Sequence, residues 1–271
     1  MFTQPNATPQ TYEKVDGTYG TGKYKPAWYT TDASLPDHTL YLPKTIPAGV
    51  KLPVVLWANG GCGGNGVAWL SPLVEWASHG MLVIADGAPN GRSRDTAALM
   101  KKALDWVNAN AGKGAYAQVD GKRVGISGQS CGGLVAYEVE GDKRVTAVGI
   151  FNSGALNAAQ RQVVPKFSKP IAYFLGGKTD IAYAQGTADY NALPKGLPAW
   201  KGNVESGHGG TFCRPAGGEY GKAGSQWWKW QLRGDPSAKA FFTEPGAKDM
   251  GWQAVSQNLD KAPVPEALPG N

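Results

Sequence analysis

The run Val124-Gly125-Ile126-Ser127-Gly128-Gln129-Ser130-Cys131-Gly132-Gly133 narrows the folds open to this chain more than any other stretch. A short apolar strand passes into Gly-x-Ser-x-Gly and then into Leu134-Val135-Ala136-Tyr137-Glu138, which suits a helix. A serine on so tight a strand-to-helix turn has its hydroxyl pushed out of the sheet, on a backbone that few residues tolerate. Gly128 and Gly132 are expected to make room beside it. The helix from Cys131 then aims its first amides and its positive end at the place where an oxyanion would form. The plain alternative is a glycine-rich turn that happens to hold a serine, in a chain with 38 glycines.

Strands and helices alternate around this turn. Residues 39–43, 51–58, 81–85, 145–151, 171–175 and 201–204 read as strands. Residues 67–78, 96–110, 180–190 and 219–232 carry helical spacing. The alternation predicts an α/β fold, with a mostly parallel central sheet and helices on both faces. A length of 271 residues suits one such domain, over 38–245, with no large cap domain. Residues 1–37 read as an extension with edge strands, and 246–271 as a C-terminal tail. Beyond Lys261 that tail is Pro-rich and expected to be disordered or draped on the surface.

In parallel sheets, functional groups gather at the carboxyl ends of the strands. A nucleophilic serine needs a base, normally His, and a carboxylate to orient that base. There are three histidines. His38 precedes the elbow, and His79 sits at the entrance of a strand, where a place at a helix C-terminus accounts for it. His208, in Glu205-Ser206-Gly207-His208-Gly209-Gly210-Thr211, follows the last predicted strand and is the base expected here. The bland reading is a surface loop histidine. Asp180 ends Phe174-Leu175-Gly176-Gly177-Lys178-Thr179-Asp180 and is the expected acid, although it would also serve as a helix cap. Asp142, in a turn, and Asp189, inside a helix, fit less well. The order Ser, Asp, His is that of α/β-hydrolases. Asn59-Gly60-Gly61-Cys62-Gly63-Gly64 follows the strand at 51–58 and offers bare amides. The oxyanion donors expected are the Gly61 amide, with Cys62 as a one-residue alternative, and the Cys131 amide. A phosphate loop would require a lysine and a following Ser or Thr that are missing.

With these residues in view, the chain resembles the secreted α/β-hydrolases of the dienelactone-hydrolase, cutinase and polyester-hydrolase group over about residues 35–245. The resemblance rests on Leu52-Pro53-Val54-Val55-Leu56-Trp57-Ala58-Asn59-Gly60-Gly61-Cys62, Ala77-Ser78-His79-Gly80, Gly128-Gln129-Ser130-Cys131-Gly132-Gly133, Gly176-Gly177-Lys178-Thr179-Asp180-Ile181-Ala182-Tyr183, Gly207-His208-Gly209 and Trp228-Lys229-Trp230-Gln231-Leu232-Arg233-Gly234-Asp235. It implies an α/β-hydrolase fold and places the oxyanion loop, nucleophile, acid and base at those positions. Dienelactone hydrolases proper use a cysteine nucleophile. Ser130 holds that register here, which argues against a dienelactone substrate. The resemblance also favours a Cys62–Cys131 disulfide, since similar sequences carry Cys at both places. Cys131–Cys213, or three buried thiols, are the alternatives.

The reading that follows is a serine carboxylic-ester hydrolase acting through an acyl-enzyme on a small or polymeric ester: short-chain, aromatic, cell-wall or polyester. The alternatives are a catalytically silent polymer-binding or effector protein on the same fold, or a related acyltransferase or peptidase. Trp69, Gln129 and Tyr183 are candidates for substrate contact; for Trp69 and Tyr183, core packing explains them equally well. Trp227, Trp228 and Trp230 read as core first and as a binding platform second. No cofactor is expected, and His208 with Cys213 lacks further ligands at zinc spacing. The formal charge is +6, but no Lys/Arg cluster points to nucleic acid. No run is long enough for a membrane span, and a monomer is expected. Sparse charge (18%), ten tryptophans and three cysteines favour a secreted or periplasmic protein. The chain opens Met1-Phe2-Thr3-Gln4-Pro5, with no signal segment, so it reads either as a cytosolic protein or as an exported one whose leader is missing from this sequence. Asn6-Ala7-Thr8 is a glycosylation sequon near chance frequency.

Overall fold

The computed structural model describes residues 19–243 and 245–270. The Asn6-Ala7-Thr8 sequon and the first half of the N-terminal extension lie outside the described residues. The strands are β1 (Ala27–Thr30), β2 (His38–Pro43), β3 (Leu52–Ala58), β4 (Gly63–Gly64), β5 (Leu82–Asp86), β6 (Ser93–Arg94), β7 (Val119–Gln129), β8 (Val145–Phe151), β9 (Ile171–Leu175), β10 (Ala199–Asn203) and β11 (Gln253–Gln257). Nine of them form one sheet in the order β1-β2-β5-β3-β7-β8-β9-β10-β11. From β5 to β10 every pairing is parallel; β1, β2 and β11 add antiparallel edges. β4 and β6 form a separate two-stranded ribbon.

Every residue of β3, β5 and β9 is buried. Strands of that kind need cover on both faces, and the helices supply it. Helices α1 (Leu70–Ser78), α2 (Ala97–Asn110), α3 (Cys131–Val139), α4 (Ala158–Arg161), α5 (Tyr183–Ala192), α6 (Gly218–Trp228) and α7 (Gly246–Asp249) follow in chain order. The Thr96 side chain caps α2 by accepting from the Leu99 amide, and Met100, Ala103, Leu104 and Val107 form its inner stripe. α2, α3 and α5 cover one face with aliphatic packing. α1 and α6 cover the other, where tryptophans dominate. Trp227, Trp228 and Trp230 are fully buried there, so they are core.

One segment differs from its sequence reading. Part of the stretch read as a tail is β11, which pairs antiparallel with β10 and extends the sheet. Beyond it the chain drapes rather than frays: the Leu268 amide donates to the Arg233 carbonyl, and Arg233 Nη2 donates to the Pro269 carbonyl. The connection from Phe151 to Ile171 holds only α4 and a single 3-10 turn. Among the described residues, no helix is long and apolar enough to cross a membrane.

Candidate active site

Ser130 stands between β7 and α3 with φ 53° and ψ −118°, outside the ordinary regions of the backbone map. Such a conformation costs about 1–3 kcal/mol and persists only where its surroundings impose it. Here the surroundings are close. A Cβ on Gly128 would lie 2.3 Å from the Gly132 carbonyl, and one on Gly132 would lie 2.0 Å from the Ala58 oxygen. The Ser130 amide donates to the Phe151 carbonyl at 3.0 Å, and Ser153 Oγ donates to the Ser130 carbonyl at 2.6 Å. Strand β8 and its exit therefore hold the turn from one side, and α3 from the other.

His208 reaches this serine from the loop after β10. Its Nε2 lies 2.9 Å from Ser130 Oγ, and its Nδ1 lies 2.7 Å from Asp180 Oδ1. A carboxylate accepts, so Nδ1–H donates to Asp180 and Nε2 is left to accept the serine proton. The loop is fixed at its backbone: the Ser206 and Gly207 amides both donate to the Gly176 carbonyl. Gln129 Nε2 donates to the His208 carbonyl at 3.0 Å.

Asp180 is buried beside this histidine. Burial alone would raise its carboxyl pKa. Hydrogen bonds from His208, the Ala182 and Gly176 amides and the Asn152 side chain outweigh that and hold it below the usual carboxylate value. Asn152 Nδ2 is shared between Asp180 Oδ2 (2.9 Å), the Gly207 carbonyl and Tyr220 Oη. The other acids have different work. Asp142 pairs with Arg144, and buried Asp189 accepts from Tyr137, the Ala155 amide and Arg161. His79 pairs with Glu75 at the end of α1, and His38 lies 3.3 Å from Asp86.

The glycine loop after β3 lies against the start of α3 because Cys62 and Cys131 are joined by a disulfide, with their Cα atoms 5.3 Å apart. That excludes the Cys131–Cys213 alternative; Cys213 is exposed and outside the disulfide. Gly61 is exposed with φ 66°, and Cys131, first in its helix, has no intrahelical acceptor for its amide. The Cys62 amide instead donates to the Asn59 carbonyl at 3.1 Å, which removes it from the candidate oxyanion donors.

No protein-family model and no curated protein matches this chain.

Two of the three candidate substrate contacts are placed elsewhere. Trp69 is buried, edge-on to Phe212 and Trp57, because the turn before α1 rotates it into the aromatic core. Gln129 is also buried and spends its amide on the His208 loop. Tyr183 is half-buried at the start of α5, packed against the aliphatic core. Asn152 and Ser153 were missed. The available signal was the polar triplet Asn152-Ser153-Gly154 at the carboxyl end of the strand next to the elbow. The structure instead exposes Leu156 (68%), just past that triplet, and Ile181 (48%), next to Asp180.

Proposed function

We propose that the protein is a serine carboxylic-ester hydrolase that works through an acyl-enzyme, on the α/β-hydrolase plan. The observation that carries this reading is the hydrogen-bonded series Ser130 Oγ, His208, Asp180, at 2.9 and 2.7 Å. Ser130 Oγ attacks the ester carbonyl while His208 Nε2 takes its proton. Asp180 keeps the imidazole in the required tautomer and stabilises the imidazolium. The carbonyl oxygen becomes an oxyanion facing the Gly61 and Cys131 amides at the positive end of α3. His208 then protonates the departing alcohol. Water, activated by the same histidine, releases the acid and restores Ser130.

We take the exposed apolar side chains Leu156, just past Gly154, and Ile181, next to Asp180, as the rim that meets substrate; Trp69 is buried. An open apolar rim suits a bulky acyl group on a small or polymeric ester better than a long lipid chain, which needs a deep tunnel. The intramolecular disulfide fits an extracellular or periplasmic protein.

The test is a fluorophosphonate probe followed by peptide mapping, with a series of p-nitrophenyl esters. The expected result is one adduct on Ser130, none in Ser130→Ala, and higher kcat/KM for C2–C4 than for C16 esters. Labelling at another residue, or full activity in folded Ser130→Ala, overturns the assignment. A preference for C16 overturns the open-rim substrate reading alone.

A further inference from the structure

Against the oxyanion loop, on the side of β3 that faces β5 rather than β7, lies a second group of buried ionisable side chains that the mechanism above does not use. Asp95, which follows β6, is 2% exposed. Its Oδ2 accepts from the Asn59 amide at 2.6 Å, and its own amide donates to the Cys62 carbonyl at 3.0 Å. One residue thus grips both ends of the turn whose exposed member is Gly61. The Asn59 side chain continues the grip, donating to the Gly63 and Asp86 carbonyls at 2.9 and 2.8 Å and accepting from Trp57 Nε1. The β4–β6 ribbon runs alongside, with Gly63 opposite Arg94. The segment 86–95 therefore wraps the oxyanion loop.

We propose that Asp95 is the positioning residue of the oxyanion loop: its two hydrogen bonds to the 59–62 turn set the direction of the Gly61 amide. The inference rests on the ester-hydrolase reading of the site. The disulfide holds the loop against α3 at Cys62. Asp95 holds it at Asn59 and the Cys62 carbonyl. A donor displaced by a fraction of an ångström loses most of its advantage in the transition state, while ground-state binding hardly changes.

The chemistry of the grip depends on protonation. Asp86, at the end of β5, is the buried carboxyl that acts on Asp95, and His38, at the start of β2, lies 3.3 Å from Asp86. Arg94 beside Asp95 and Lys101 on α2 are exposed. Burial first, and the Asp86 carboxyl second, push the Asp95 carboxyl up to about 8, against the lowering effect of Asn59. Below that pH the carboxyl is neutral and still accepts from the Asn59 amide. Above it, a buried negative charge appears against the loop and opposes the oxyanion.

Asp95→Asn and Asp95→Ala, with p-nitrophenyl butyrate as substrate, test this. Asp95→Asn keeps the acceptor and removes the ionisation. It is expected to retain kcat within about threefold at pH 7 and to lack the fall in kcat expected of the wild type above about pH 8. Asp95→Ala is expected to lose about 100-fold in kcat with KM unchanged, and to exchange the backbone amides of 59–64 at least about tenfold faster. Wild-type kcat in Asp95→Ala, a change in KM alone, unchanged exchange at 59–64, or an alkaline fall that persists in Asp95→Asn each overturns the inference. If Asp95→Ala does not fold, the pH profile of Asp95→Asn decides. If the wild type neither hydrolyses an ester nor labels at Ser130, the functional reading fails by itself, and hydrogen exchange alone decides whether Asp95 holds the loop.

Discussion

At Asp180, burial and hydrogen bonding pull the carboxyl in opposite directions, and hydrogen bonding wins. Asp180→Asn is expected to keep the fold and cut kcat by about a thousandfold or more, because an amide does not hold the His208 tautomer. Steady-state kinetics on p-nitrophenyl butyrate reads it. Asn152→Ala removes one of the donors to Asp180 and should cost less than Asp180→Asn in the same assay. The lowered pKa has a sign for stability as well. Its contribution is complete above the ordinary carboxyl value of about 4 and fades as pH falls through the lower folded value. The melting-temperature gap between wild type and Asp180→Asn at pH 7 should therefore close in acid; a gap that stays constant to pH 2 contradicts it. Ser130, Asp180 and His208 were legible because strand ends define their positions. The role of Asn152, the grip of Gln129 on the His208 loop and the inward turn of Trp69 were not. Each depends on where a distant loop passes, and Phe212, which receives Trp69, lies far along the chain.

The elements fit through small residues as much as large ones. Gly125 on β7 and Gly149 on the adjacent strand β8, two residues apart in register, together form the seat of Trp228. A Cβ on Gly125 would lie 2.5 Å from the indole, and one on Gly149 would lie 2.9 Å from it. Gly125→Ala is expected to destabilise the fold by about 1–3 kcal/mol through overpacking, read as a lower urea midpoint at unchanged slope. The disulfide joins elements 69 residues apart in sequence. Replacing both cysteines by serine should cost about 4 kcal/mol of stability by the chain-entropy account, and should lower kcat in whatever remains folded. A double variant with wild-type kcat would show that the clamp serves the fold alone. Strands β3, β5 and β9 were legible because they are near-continuous apolar runs; β10, Ala199-Trp200-Lys201-Gly202-Asn203, is not, and its reading at 201–204 starts two residues late. Strand β11 was not: mostly exposed and without alternation, Gln253-Ala254-Val255-Ser256-Gln257 is held by main-chain pairing to β10.

Across the whole molecule, the parallel sheet has two dissimilar ends. Ser130, Asp180 and His208 collect at the carboxyl ends of the strands. At the amino ends, Arg233 is buried and donates to the Lys51 and Gly80 carbonyls, just ahead of β3 and β5, and to Pro269. Deleting 262–271 removes that last acceptor and is expected to lower stability by about 1–3 kcal/mol with kcat unchanged in the folded fraction. Thermal melts paired with active-site titration check both halves of the statement. Tyr24 Oη donates to the Gly270 carbonyl at this same end, so the first and last parts of the described chain meet there. The molecule has a handle opposite the end that carries Ser130, Asp180 and His208. Coupled to a bead through residue 270, it would stand with Ser130 turned outward.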